Sequence, residues 1–166
     1  METKRAFLEM QGFGGLSDEE VRRLDPWVRL APAVCLVWTL VGTVLASPLV
    51  LWLLVPFALL GVVLPVHPFD APYHFAVRRL TGGPAIPRYR APRRFACGVA
   101  GLWVTATAVA FTLGATTVGS VLGYALVVVA AVPVTTGFCA ASAIWNRLFA
   151  RRGGPPHDTA RGVAAG

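Results

Sequence analysis

Two long stretches without a charged residue constrain the fold of this chain more than any other feature. Residues 30–66 (37 residues) and residues 95–146 (52 residues) contain no Asp, Glu, Lys or Arg. A helix rises about 1.5 Å per residue and the hydrocarbon core of a bilayer is about 30 Å thick, so a spanning helix needs about 20 residues. Each stretch is long enough to cross a membrane twice, and we predict a polytopic membrane protein.

The composition agrees with this interpretation. Hydrophobic residues make up 55% of the chain and charged residues 14%, whereas soluble domains contain about 25% charged residues. The excess apolar surface therefore faces lipid. The net charge of +7 would suit nucleic acid, but the arginines flank the apolar stretches and no nucleic-acid-binding motif accompanies them, so we expect no nucleic-acid partner.

The fold class predicted is an all-α membrane protein with four transmembrane helices, arranged as two antiparallel hairpins with short cytoplasmic interfacial helices. Ser47-Pro48 is a cap followed by a proline and opens the second span, and Pro133 is expected to kink the fourth. The predicted spans cover residues 27–46, 49–66, 95–113 and 120–144.

The regions outside the spans are a cytoplasmic N-terminal arm (1–25), a link (67–94) and a C-terminal tail (150–166). In the arm, Ser17 and Glu20 have the spacing of a capping box, which predicts a short helix to about Leu24. Asp25-Pro26 then predicts a new helix start, with Asp25 as the cap. The tail is rich in Gly, Pro and Ala, and we predict that it is disordered.

The charge distribution predicts the orientation. Every charged residue falls within residues 1–29, 67–94 or 147–166, whereas the connectors 47–48 and 114–120 carry no charge. Because Lys and Arg are enriched in cytoplasmic loops, both termini and the link are expected to be cytoplasmic in a multi-pass protein of the cell membrane.

The link contains the densest polar cluster. His67, Asp70 and His74 are weak candidates for a metal site, because imidazole and carboxylate suit zinc or iron. Two prolines disturb the spacing, and the favoured interpretation is an interfacial turn capped by Asp70, with no metal and no cofactor. A short helix is predicted from Tyr73 to Leu80, ended by Gly82-Gly83.

The basic residues of the link are six arginines. Beside a membrane they attract anionic lipid headgroups, at about 1 kcal/mol each. They also fit a pure topology signal, and the sequence leaves both interpretations open. The candidate lipid- or partner-facing residues are Arg78, Arg79, Arg88, Arg90, Arg93 and Arg94.

Cys35, Cys97 and Cys139 all fall in the cytoplasmic halves of the predicted spans, where no structural disulfide is expected. Cys139 is the candidate catalytic residue, because it forms a Cys-x-x-Ser arrangement with Ser142 just after the predicted kink. A thiol at this spacing can attack a disulfide or carry sulfur. The alternative, which the residues favour, is a small packing residue.

Three segments of the sequence are distinctive when they are taken together. The segments HPFDAPYHFAVRRLTGGPAIP (67–87), PRRFACG (92–98) and TTGFCAASAIW (135–145) resemble the integral membrane family catalogued as domain of unknown function 4395, over about residues 25–149. The resemblance implies a four-helix bacterial or archaeal membrane protein without an assigned activity. It also implies thioredoxin-like or sulfurtransferase proteins as possible partners. Some relatives carry a second Cys where this chain has Ser142.

Three functions are open. The favoured one is a non-enzymatic helical module that packs with itself, as a homo-oligomer, or with a membrane or cytoplasmic partner. The alternative is a component of sulfur or thiol-redox metabolism that uses Cys139. Transport of a neutral solute is less favoured, because ion and proton pathways need charged groups within the spans.

Overall fold

The computed structural model describes residues 2–83, 85, 86 and 88–149. Within these residues the chain is all helical and contains no strand, as predicted. The C-terminal tail lies outside the described residues. The α-helices are α1 (Glu2–Met10), α2 (Asp18–Val44), α3 (Pro48–Val63), α4 (Arg78–Thr81), α5 (Ala91–Thr112), α6 (Thr116–Thr136) and α7 (Ala140–Phe149).

Three helices, α2, α5 and α6, are each long and apolar enough to cross a membrane. A fourth candidate arises if α3 and residues 68–80 are counted as one broken span. These two parts meet at 87°, so residues 68–80 run across the end of α3 instead of extending it. The name link is kept for residues 67–94, of which residues 91–94 form the first turn of α5. Three to four candidate spans are consistent with a multi-pass membrane protein.

The first long helix differs from the prediction of a break at Asp25-Pro26. The capping box is confirmed, because Ser17 Oγ accepts from the Glu20 N–H and Glu20 Oε2 accepts from the Ser17 N–H. However, α2 continues through Pro26 to Val44. A proline inside a helix costs about 3 kcal/mol, and packing offsets this cost here, because Leu24 and Val28 on either side of Pro26 are fully buried.

The bundle pairs helices that are not neighbours in sequence. Helix α3 packs mainly against α5, and α2 packs against α6 as well as α3. Small residues permit these contacts: Gly123 of α6 lies against Thr43 of α2, and Gly101 of α5 lies against Ala58 of α3. Close approach over small residues is the expected way for helices to associate in lipid.

The predicted fourth span, 120–144, is two helices. Helix α6 passes through Pro133 and ends at Thr136, where Gly137 has a φ of 71°. This left-handed conformation is typical of a residue that terminates a helix, and α7 begins three residues later. The Val134 carbonyl near the end of α6 accepts from Arg29 Nη1 at 2.9 Å, so the break is stabilised by a side chain from α2.

The link folds against the bundle. The predicted short helix is present, since residues 71–81 are helical and Gly82 follows with a φ of 61°. In the proline-rich run beyond it, the buried residues Ile86 and Tyr89 pack against other parts of the chain. The Tyr89 N–H donates to the Pro65 carbonyl at 2.7 Å, which fixes this run at the end of α3.

A helix that the sequence analysis missed, α1, covers the same end of the bundle. Its residues Phe7 and Leu8 are fully buried in a cluster with Leu24, Ile86 and Tyr89. The Arg29 guanidinium lies 4.7 Å from the centre of the Phe7 ring. The arm, the link and the first part of α2 therefore share one core. We call the end of the bundle that carries this core the link end.

Candidate functional site

A cavity of about 180 Å³ lies inside the bundle, near the link end. All four long helices contribute to its wall, together with the link, the arm and the start of α7. Its residues include Gln11, Ala31, Pro32, Cys35, Ala58, His67, Tyr89, Arg93, Cys97, Val99, Trp103, Leu126, Val129, Pro133, Cys139 and Ser142.

All three cysteines line this cavity. Cys35 comes from α2, Cys97 from α5 and Cys139 from the break between α6 and α7, and each is a half-buried free thiol. Cys139 was predicted as the candidate catalytic residue, and all three thiols were expected in the cytoplasmic halves of the predicted spans. The sequence did not show that they share one cavity, which depends on how the helices pair.

The Cys-x-x-Ser spacing produces a contact. Cys139 immediately precedes α7, and its carbonyl accepts from the Ala143 N–H at 2.9 Å. The Ser142 hydroxyl, which is fully buried, lies 3.4 Å from Cys139 Sγ and 3.4 Å from the Pro92 carbonyl. A hydroxyl has one proton to donate, so it serves the sulfur and the carbonyl alternately.

Arg93 was predicted to face lipid or a partner, but it points into the protein. Its side chain is buried. It donates from Nη1 to Gln11 Oε1 and from Nη2 to the Val28 carbonyl, the latter at 3.0 Å. The Val28 carbonyl would normally bond to the N–H of residue 32, which is a proline and has none. The guanidinium supplies the missing donor.

Aromatic rings complete the surroundings of Arg93. Its guanidinium lies 4.2 Å from the centre of the Tyr89 ring and 5.6 Å from the Phe13 ring. Such cation–π contacts are each worth about 0.5–2 kcal/mol. The Tyr89 hydroxyl in turn donates to Asp70 Oδ2 at 2.5 Å, so a buried polar network runs from the arm to the link.

The metal interpretation of the link is not supported by the geometry. No group of three metal-ligating side chains occurs among the described residues. Asp70 is fully buried and paired with Tyr89. It does not cap the helical segment that follows it, because Oδ2 accepts from Tyr89 and Oδ1 has no partner among the described residues. His67 Nδ1 accepts from the Phe69 N–H at 3.3 Å and caps the preceding 3-10 turn, Pro68–Asp70. His74 Nε2 is buried without a partner in the described part of the chain.

Burial controls the protonation of this network. It lowers the pKa of His67 to about 4, with a smaller contribution from Arg93, so the imidazole is neutral at pH 7. Burial also raises the pKa of Asp70, and it raises the pKa of Tyr89 well above 10. The Tyr89 hydroxyl is therefore protonated and acts as a donor.

His67 and Cys97 meet at Gly61 of α3. A Cβ added to Gly61 would lie 2.9 Å from His67 Nε2 and 3.1 Å from Cys97 Sγ. The absence of a side chain at this position makes room for both groups at the cavity wall. The approach of His67 and Cys97 to Gly61 was not predicted. The positions of Gly61, His67 and Cys97 in the sequence do not indicate that they lie together.

The other arginines of the link lie away from the cavity. Arg78, Arg79, Arg88 and Arg90 are exposed, and none of the four forms an ion pair within the described residues. Arg94 is half-buried, and its Nε finds no partner there. In contrast, the basic residues of the arm and early α2 pair with acidic neighbours.

These features define an all-helical protein with three to four candidate membrane spans and a thiol-lined cavity. Residues 25–150 match the family model described as Domain of unknown function (DUF4395), so the chain belongs to that family of unknown function. The resemblance seen in the sequence is thereby confirmed. Comparisons with curated proteins and with solved structures give no match.

Proposed function

We propose that this chain is a multi-pass membrane protein that carries out thiol exchange at its cavity, with Cys139 as the reactive group. The observation that carries the proposal is the convergence of Cys35, Cys97 and Cys139 from three separate elements on one cavity. The wall is otherwise mostly apolar, and the three thiols are the groups on it that can carry sulfur. This geometry favours the sulfur or thiol-redox role over the purely structural one.

The reaction class follows from the residues. The Cys139 thiolate attacks the outer sulfur of a persulfide R–S–SH, the S–S bond breaks, and R–S⁻ leaves as Cys139 becomes the persulfide. The same attack on a disulfide R–S–S–R′ gives a mixed disulfide and R′–S⁻. Neither step needs an external oxidant, since one S–S bond replaces another. A soluble thioredoxin-like or sulfurtransferase protein is the proposed donor.

The position of Cys139 suits this role. It lies at the break between α6 and α7, beside the exposed residues Phe138 and Ala140, so a donor can approach it. It also immediately precedes the first residue of α7, and helix N-termini stabilise negative charge. The Ser142 hydroxyl at 3.4 Å from Sγ provides a hydrogen bond to the attacking sulfur.

Persulfide transfer tests the proposal. The protein in native membranes would be treated with glutathione persulfide, and the persulfide on each cysteine would be quantified by peptide mass spectrometry after alkylation. We expect modification of Cys139, its loss in Cys139→Ser and its retention in the matched variant Cys35→Ser. Equal modification of all three thiols, or of none, would contradict a dedicated role for Cys139.

A second candidate function is the non-enzymatic module that packs with itself or a partner. The exposed surface of α6 favours this function. Only 17% of the most apolar stretch of this helix is buried within the protein. Val121 and Val128 are each more than 60% exposed on this helix. Lipid or another protein covers this surface. A protein whose three thiols all resist persulfide transfer would be assigned to this class.

The orientation is part of the proposal. We propose that both termini and the link are cytoplasmic, as the charge distribution predicts. The exposed arginines Arg78, Arg79, Arg88 and Arg90 then face the anionic headgroups of that leaflet. Native mass spectrometry should show less bound phosphatidylglycerol on Arg88→Gln/Arg90→Gln than on wild type, whereas equal binding would leave these residues as topology signals.

A further inference from the structure

The wall of the cavity is partly exposed at the side of the bundle, where α5 and α6 lie together. Two of its wall residues, Val99 of α5 and Val129 of α6, are 39% and 47% exposed. They belong to two of the helices that are apolar enough to span a membrane, so their exposed surface faces hydrocarbon. An opening at this place, between α5 and α6, would admit a molecule dissolved in the bilayer without passage through water.

The size of the cavity limits what enters. Its volume is about 180 Å³, and an apolar cavity of about 150 Å³ holds one benzene ring. The wall beyond the polar end is formed by apolar and aromatic side chains, including Ala58, Trp103 and Leu126. One substituted six-membered ring fits, and any longer chain attached to it would leave between α5 and α6.

The polar end of the cavity offers hydrogen-bond donors. Arg93 lines it, and although Nη1 and Nη2 each donate one proton, to Gln11 and to the Val28 carbonyl, each keeps a second N–H. His67 also lines it, and because His67 Nδ1 accepts from the Phe69 N–H, the proton of the neutral imidazole is on Nε2. No Asp or Glu occurs among the described residues of the wall. The preferred ligand is therefore an acceptor, such as a ring carbonyl, and not a cation.

We propose that this cavity binds the ring of a membrane-soluble isoprenoid quinone, with a ring carbonyl toward Arg93 and His67 and the tail between Val99 and Val129. A quinone is the one-ring, acceptor-bearing and bilayer-dissolved molecule that the exposed wall, the volume and the donors together describe. The inference goes beyond the proposed thiol exchange and does not depend on it, because binding requires no reaction at Cys139.

Quinone binding is measurable by fluorescence, because quinones quench nearby tryptophan and Trp103 lines the cavity. The protein would be placed in quinone-free lipid nanodiscs and titrated with decylubiquinone. We expect saturable quenching that is largely lost in Trp103→Phe. Val129→Phe narrows the opening and should weaken binding about tenfold or more, while Val128→Phe, the exposed neighbour outside the wall, should leave it unchanged.

Several outcomes would overturn the proposal. Quenching that rises linearly without saturation in wild type indicates mere partitioning into the bilayer. Equal affinities of Val129→Phe and Val128→Phe would place the ligand elsewhere. Displacement of the quinone by an equal concentration of lauric acid would show that the site takes apolar tails in general. Unchanged thermal unfolding of both variants ensures that a lost signal reports binding and not misfolding.

Discussion

At the scale of single residues, two helix carbonyls are paired by arginine side chains from distant parts of the chain. The Val28 carbonyl, which Pro32 leaves without its helical donor, accepts from Arg93. The Val134 carbonyl near the end of α6 accepts from Arg29. Buried backbone groups without partners cost about 1–3 kcal/mol each, so these two arginines stabilise helices to which they do not belong.

His67 gives a prediction on pH. Its pKa is about 4 in the folded protein, against 6.5 ordinarily, so the unfolded chain takes up the proton first as the pH falls. The free energy of unfolding should therefore decrease by about 3 kcal/mol between pH 6.5 and pH 4 on account of this residue. His67→Asn keeps an acceptor for the Phe69 N–H and should lack this decrease.

The measurement is chemical unfolding in detergent micelles at pH 7 and pH 4, for wild type and His67→Asn. The comparison with the variant is essential, because Asp70 acts in the opposite direction. Its pKa is raised by burial, so its contribution to stability falls as the pH rises from its ordinary pKa to the raised one. Identical pH dependence of the two proteins would show that His67 is not buried as a neutral imidazole.

At the scale of elements, the bundle depends on glycines that allow helices to touch. Gly119 and Gly123 of α6 lie four residues apart, are both buried, and face Phe111 and Thr43. Gly42 of α2 similarly faces Leu51. The helix that each glycine contacts depends on how the helices pair, which the local sequence does not specify.

Gly123→Ala should weaken the packing of α6 against α2. The added Cβ would lie 2.6 Å from Thr43 Cγ2, and overpacking of this kind costs about 1–3 kcal/mol. Thermal unfolding of the variant should therefore occur at a lower temperature. Gly98→Ala is the control, because its Cβ would meet only Val62 Cγ2, at 3.7 Å. Rescue by Thr43→Ala is expected, and equal behaviour of the two glycine variants would refute the contact.

At the scale of the whole molecule, the two ends of the bundle differ. One end has short uncharged turns, and the other carries the arm, the link, α7 and nearly all described charges. The cavity lies near the charged end. This asymmetry is the basis for the proposed orientation, in which the thiols would lie closer to the cytoplasm.

The orientation is testable by labelling. In a background without the native cysteines, Thr117→Cys should react with a membrane-impermeant maleimide added outside intact cells, and Arg88→Cys should react only after lysis. Both positions are exposed, whereas Tyr89 beside Arg88 is buried and would give a false negative. The opposite pattern would invert the topology, and labelling of both from outside would exclude four complete spans.

The sequence by itself determined the class of protein, its approximate spans and the position of its charges, because these depend on local composition and on the length of helix that a bilayer requires. It also located Ser17, Gly82 and Cys139 as local signals. Only the tertiary structure decided that α2 continues through its prolines, that α6 stops at Gly137, and that Arg93 turns inward. These outcomes depend on partners far away in sequence: Gln11 and Arg93 are 82 residues apart. The cavity with its three thiols exists for the same reason, since it is formed by the pairing of helices, and no local pattern specifies which faces meet.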